Sequence, residues 1–363
     1  MSSACKRLKL NQTIKWNPIL AKEYLNTNFV LKTFLIGDIN DPKKLSSIIA
    51  RLHESYPLKD YYAKFKRVKS INFLKKEQAV DKSKFQILLC PKEAFTGLPS
   101  DLEKIVTNLT ELDLPVDKIL TKKQYGIVNK TYWPMSFHLD KYIESLLDQS
   151  KKFFSDEQSL KYDFYMRMAL EFAESMKSIS AALVVDPRND CLIAGALDSR
   201  LSHPLGHSVI NAMRNVSKRH LVELKNPNSH LDVNLDDINR DLKEFIENKL
   251  NDEHKNKYEL LKENLSKTLD LNDYLCTNYI LFLTHEPCSM CSMALVHSRV
   301  SKVFYTFNTK HGYLHTNSRI HCLSNLNHNY EVFEADDFLA DSSCSTYFTV
   351  DATKHDHFLG KII

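Results

Sequence analysis

Glycine is scarce, at 7 of 363 residues. That excludes a glycine-rich loop of the kind that cradles phosphates, which concentrates several glycines within one turn. No apolar run approaches the roughly 18 residues of a membrane-spanning helix, so no membrane partner is expected. The opening Met1-Ser2-Ser3-Ala4-Cys5-Lys6-Arg7 lacks the apolar core of a secretory signal. The 8 cysteines follow no small-domain disulfide pattern. Cys5, Cys90, Cys191, Cys276, Cys322 and Cys344 are scattered, as expected of reduced thiols in the nucleus and cytoplasm. Lys6-Arg7-Leu8-Lys9 is a short basic run of the kind that addresses a protein to the nucleus.

What is present suffices for two hydrophobic cores, with 43% apolar residues in a chain too long for one typical domain. The formal charge of +4 conceals an asymmetry. Met1 to Lys92 holds 19 Lys+Arg against 7 Asp+Glu, a net +12, and the remainder is net −8. The N-terminal quarter is therefore the candidate polyanion-binding region. Its densest stretch offers Lys64, Lys66, Arg67, Lys69, Lys75 and Lys76 as phosphate contacts, which give affinity with little base readout.

Local patterns divide the chain further. Phe29 to Ile36 reads as a strand, and Asp41-Pro42 opens a helix with Leu45, Ile48, Ile49 and Leu52 on one face. Strand-like runs recur at Ala63 to Ile71 and Phe85 to Cys90. The order predicts a small basic α+β domain over 1–120, of the open-sheet kind, with a ferredoxin-like arrangement as the candidate. Residues 121–158 read as a linker containing a helix at Tyr142 to Leu147, with Trp133 as a packing anchor. Residues 159–335 alternate helices and strands, which predicts a layered α/β domain with a mixed sheet. A polar insertion at 220–273 reads as a surface excursion, although Leu242, Phe245, Ile246 and Leu250 are helically spaced. Residues 336–363 form a tail.

One constellation carries chemistry. His207 follows Pro204 and is expected in the first turn of a helix. Far along the chain, a strand-like run from Tyr279 to Thr284 leads into Glu286-Pro287-Cys288-Ser289-Met290-Cys291. A bare C-x-x-C with a distant histidine is also compatible with two buried thiols. The strand, the proline before the first cysteine and the helical run after the second favour a metal. One imidazole and two thiolates suit zinc and leave a fourth position open. His203 competes with His207, but its place before Pro204 makes it a loop residue. His285 is expected to support the cysteine loop by hydrogen bonds. In zinc nucleobase deaminases a glutamate two residues after the histidine moves protons to and from the base. Val209 stands at that place, and a valine carries no proton.

His203-Pro204-Leu205-x-His207-x-Val209, Glu286-Pro287-Cys288-x-Met290-Cys291-x-Met293-Ala294-Leu295-x-His297-Ser298-Arg299, Leu326-Asn327-His328 and Tyr132-Trp133-Pro134-x-Ser136-Phe137-His138 resemble the non-catalytic subunit of the eukaryotic heterodimeric tRNA adenosine deaminase. The likeness is best from about Leu160 to Phe333. It implies a three-layer deaminase fold, Zn2+ on His207, Cys288 and Cys291, tRNA as substrate, and a catalytic partner subunit that supplies the missing glutamate. Catalytic residues in this chain are expected to be none. The resemblance also offers Arg299 and the helix after Cys291 for the dimer interface. Three alternatives stand beside it: Asp198 or Glu286 as a replacement proton shuttle, an RNA-binding scaffold with a degenerate fold, and a carboxylate from the tail or Ile363 in the fourth metal position.

Overall fold

The computed structural model describes residues 13–39, 41–71, 84–148, 152–223, 238–249, 255–266 and 275–336. Lys6 to Lys9, Lys75, Lys76, Leu250 and the tail from 337 to Ile363 lie outside the described residues. The chain forms two units, Lys22–Asp148 on one side and Met1–Ala21 with Gln149–Ile363 on the other. The expected boundary at 120 is thereby corrected at both ends. Strand β1 (Lys15–Pro18) pairs antiparallel with a strand more than 300 residues away. Residues 121–148 are no linker, because they build part of the Lys22–Asp148 core.

In that unit α1 (Lys22–Leu25) is followed by β2 (Leu31–Ile39), α2 (Leu45–Ser55), β3 (Val68–Ile71), β4 (Lys84–Pro91), β5 (Val106–Pro115), α3 (Lys122–Thr131) and α4 (Lys141–Leu147). The sheet is antiparallel, in the order β3-β4-β2-β5. This is the strand order of a split βαβ fold. The second crossover helix of that fold is reduced here to a short 3-10 turn at Lys92–Ala94. Alternation along the strands separates two cores. Ile39, Ile87 and Leu89 pack with Ile48 and Leu52 of α2, while Phe34, Ile36 and Leu88 pack with Val128, Trp133 and Met135. Helix α3 starts at a capping box in which Thr121 and Gln124 satisfy each other's backbone donors. The Gln124 amide also donates to Glu23 O and Asn26 O, at 2.7 Å each, closing the unit at its start. Trp133 is fully buried, and its indole N–H donates to Lys66 O at 2.6 Å. It is the expected anchor, within its own unit.

The second unit continues with α5 (Asp156–Ser175), β6 (Ala181–Asp186), β7 (Cys191–Leu197), α6 (Ser208–Glu223), α7 (Arg240–Lys249), α8 (Lys255–Ser266), β8 (Ile280–His285), α9 (Ser289–His297), β9 (Lys302–Phe307) and β10 (Glu331–Asp336). The sheet order is β1-β10-β9-β8-β6-β7. Strands β8, β9 and β10 are parallel, while β6 runs antiparallel to both β8 and β7. The sheet is therefore mixed, and β7 ends at the same edge as β8. Period-two alternation sends Phe282, Phe304 and Phe333 to one face, where Phe154, Tyr162 and Tyr165 pack on them. Leu281, Leu283, Val303 and Tyr305 face the other way, into a core with Val209, Met213, Cys291 and Leu295. The result is three layers, as the alternating pattern predicts.

The 220–273 insertion is no surface excursion where it is described. Leu242, Phe245 and Ile246 are buried, and Phe245 packs on Phe172 of α5 at 5.4 Å between ring centres. A β-carbon on Gly195 would overlap Leu242, so β7 carries a glycine where α7 closes on it. No helix among the described residues is long and apolar enough to cross a membrane.

The N-terminal segment is stitched into this unit by buried polar groups. Ile14 N donates to Asp163 at 2.9 Å, Arg319 donates to Leu20 O, and the His321 ring pairs with Ile19 O at 2.8 Å. Burial pushes the His321 imidazole down to about 4, so it is neutral at pH 7. Its folded value lies below the unfolded 6.5, so the stability it contributes is complete above pH 6.5. That stability is lost as pH falls toward 4, by roughly 2–3 kcal/mol. His321→Gln, which retains a donor for Ile19 O, is expected to flatten this part of a Tm-against-pH curve measured from 7 to 4.5.

Candidate metal centre

The structure brings His207, Cys288 and Cys291 together, with their ligand atoms all within 4.8 Å of one another. Cys288 Sγ lies 3.7 Å from His207 Nδ1. Tetrahedral Zn–S and Zn–N bonds of about 2.0–2.3 Å require ligand atoms roughly 3.5 Å apart, so the donor set and its spacing fit zinc. Two helix starts converge here. The His207 carbonyl accepts the first bond of α6, from Asn211 N, so His207 caps the helix and does not lie in its first turn. Cys288 is the N-cap of α9, and Cys291 lies in that helix's first turn. Both helix dipoles present their positive ends, which favours thiolates. The hydrogen bond from Cys291 holds the Cys288 thiol down to about 4, and His207 assists against the opposing effect of burial. Cys291 is pushed up, first by that shared bond and then by burial. A metal ion held here would take the place of the thiol protons.

The neighbours sort themselves by their partners. His203 is exposed, and its Nδ1 accepts from Leu205 N at 3.2 Å, away from the trio. His285 is half-buried and pairs with Thr284 Oγ1 at 3.0 Å; Thr284 Oγ1 in turn accepts from Ala181 N. Through Thr284 it is tied to the start of β6, and burial, aided by Arg200, lowers its ring to about 4.

Neither candidate replacement shuttle is free for acid–base work. Asp198, with a side chain only 3% exposed, is ion-paired to Arg200 Nε at 2.7 Å. Glu286 is 3% exposed. Its carboxylate accepts from the backbone N–H of Leu314, His315 and Thr316 at 2.9, 2.6 and 3.0 Å, and from the Thr316 hydroxyl. A carboxylate so filled by donors is an organiser of the 309–316 loop. Gly312 is required there, since a β-carbon would overlap the Glu286 carboxylate. Val209 is 4% exposed in the apolar core beside Cys291. Arg299, at φ 60°, is exposed just beyond α9.

Residues 160–307 match the family model of the cytidine and deoxycytidylate deaminase zinc-binding region. That segment is similar to this family. The chain is 32% identical over 233 residues to the "Probable inactive tRNA-specific adenosine deaminase-like protein 3" of Danio rerio, covering 61% of this chain and 60% of that one. It is 24% identical to "tRNA-specific adenosine deaminase TAD3" of Arabidopsis thaliana, over 80% of this chain and 88% of that one. Over 81 residues it is 47% identical to "tRNA-specific adenosine deaminase subunit TAD3" of Saccharomyces cerevisiae, covering 21% of this chain and 24% of that one. The chain spans about 60% of the length of the first curated relatives it matches. His207, Cys288 and Cys291 all lie within the matched 160–307 segment.

The candidate polyanion-binding residues fare differently. Lys64 and Lys66 are exposed. Lys69 is half-buried, 5.4 Å from the Trp133 ring centre, and donates to Tyr132 O. Arg67 is corrected outright. It is 7% exposed, and its guanidinium donates to the carbonyls of Leu88, Leu89, Tyr56 and Leu52. Among the described basic residues of the run, it is the one whose side chain is buried. With the unit ending at Asp148, its net charge is +5, from 21 Lys+Arg and 16 Asp+Glu over 22–148.

Proposed function

We propose that this chain is the non-catalytic, zinc-bearing and tRNA-binding subunit of a heterodimeric deaminase that converts the wobble adenosine of tRNA anticodons to inosine. The observation that carries the reading is Val209, buried and apolar at the place where the deaminase pattern requires a proton-carrying glutamate. Asp198 and Glu286, the two candidate replacements, are occupied by other partners. Zinc, when bound, supplies a positive centre that His207, Cys288 and Cys291 hold in common. The protein's own residues do the rest: the two helix starts hold the trio in place, and the apolar side chain of Val209 leaves no route for a proton to a bound base.

The catalytic glutamate comes from the partner subunit. The names of the relatives support this reading, since they describe a deaminase-like protein as inactive and as a subunit. The Lys22–Asp148 unit contributes tRNA capture through Lys64 and Lys66, whose phosphate contacts carry little sequence information. The complex acts in the nucleus and cytoplasm.

The test is inosine formation at the wobble adenosine of a tRNA, using the purified chain alone, the catalytic subunit of the same organism alone, and the two mixed. Inosine is expected only from the mixture. A chain that neither binds that subunit nor stimulates it, while still binding tRNA, is an RNA-binding scaffold instead.

A further inference from the structure

Among the described residues, strand β7 is an edge of its sheet, with β6 as its one strand neighbour, so alternate carbonyls along its outer side need donors from elsewhere. Helix α6 supplies them from three side chains four residues apart, which share one helix face. Asn211 donates to Leu197 O at 3.0 Å, Asn215 to Gly195 O at 3.0 Å, and Arg219 to Ile193 O at 2.6 Å. This i, i+4, i+8 ladder matches the two-residue period of the strand edge and fixes α6 against β7 both along its axis and about it. Asn239 completes the edge, accepting from Gly195 N at 3.0 Å.

The first rung differs from the others. The Asn211 amide also reaches Ser199 Oγ at 2.9 Å and Gly206 O at 3.2 Å. It therefore ties together both ends of the 198–206 loop, whose last residue precedes His207. Ser199 N donates to Gly206 O at 2.7 Å across the same neck. A β-carbon on Gly206 would overlap Ser199, so the neck admits no side chain there. Asn211 itself lies one turn along α6 from His207 and donates its backbone N–H to His207 O at 2.9 Å.

We infer that Asn211 is the positioning residue of the metal trio: by closing the neck of the 198–206 loop and setting the start of α6, it aims His207 at Cys288 and Cys291. The inference rests on the metal reading given above. Groups that orient metal ligands at one remove are typically worth about 10–100-fold in metal affinity.

The test uses the full chain stripped of metal, with zinc affinity read by competition against a chromophoric chelator and site geometry by the absorption bands of added Co2+. Asn211→Leu, which keeps bulk and removes the donors, is expected to weaken zinc about 10–100-fold and to shift the Co2+ bands. Asn215→Leu, two turns from His207, is expected to lower Tm with zinc affinity unchanged. Wild-type affinity in Asn211→Leu overturns the inference. So does equal weakening in both variants, which would make the ladder an edge cover alone. Should Asn211→Leu not fold, Ser199→Ala removes one acceptor at the neck, and is expected to weaken zinc measurably; unchanged affinity there overturns the inference as well. A wild-type chain that takes up no zinc or Co2+, indistinguishable from His207→Ala, would instead overturn the metal reading, and this inference with it.

Discussion

Arg67→Met in the full chain lowers the stability of the Lys22–Asp148 unit by about 3 kcal/mol, read as a loss of denaturant midpoint at unchanged slope. The guanidinium serves four backbone carbonyls, two on β4 and two at the end of α2, and methionine serves none. Each buried carbonyl left without a donor costs about 1–3 kcal/mol, less whatever an entering water restores. With its bonds going to backbone carbonyls and no carboxylate partner among the described residues, Arg67 is a backbone clamp, and burial has already lowered its pKa to about 10. Lys64→Ala and Lys66→Ala should behave oppositely. They leave the midpoint within about 0.5 kcal/mol, weaken tRNA binding, and each reduces the salt slope by up to about one phosphate contact. An Arg67→Met chain of wild-type stability with weakened tRNA affinity would return Arg67 to the RNA surface.

Glu286→Ala is expected to be more severe, at about 4 kcal/mol. The substitution strips the partner from three backbone N–H groups and a hydroxyl inside a site from which solvent is largely excluded. The effect is local first: the amides of Leu314, His315 and Thr316 should lose hydrogen-exchange protection well before the strands of the sheet do. Glu286→Gln separates this role from acid–base chemistry. The amide keeps the shape but turns an N–H toward N–H donors, so stability falls with the same loop exposed. A Glu286→Gln complex of wild-type stability that had lost inosine formation would make Glu286 the replaced shuttle.

These residues also show where the sequence is readable. The metal trio is legible because its chemistry needs particular residue types at particular spacings, and because the strand before Pro287 is a continuous apolar run of the kind a buried strand requires. Strands β6 to β9 and helix α5 follow from the same patterning. Strand β1 is not legible: its four residues acquire a partner only through pairing with β10, 321 residues away at Lys15 and Asp336. Arg67 looks like its basic neighbours, since nothing local reveals that its side chain turns inward between β4 and α2. Glu286 looks like a spare acid because its donors lie 28 to 30 residues further on. In the insertion, polar composition hides a helix whose Leu242, Phe245 and Ile246 are spaced to be buried, and the spacing was the better guide.

The most direct measurement is single-turnover inosine formation by the assembled complex when the catalytic subunit's own proton-shuttle glutamate is replaced by glutamine and this chain is wild type. No inosine above the uncatalysed background is the predicted result, with tRNA binding and complex formation intact, because Val209 leaves this chain's metal centre without a proton carrier. Residual inosine that disappears on Cys288→Ser in this chain would contradict the account, since it would place a working active site here.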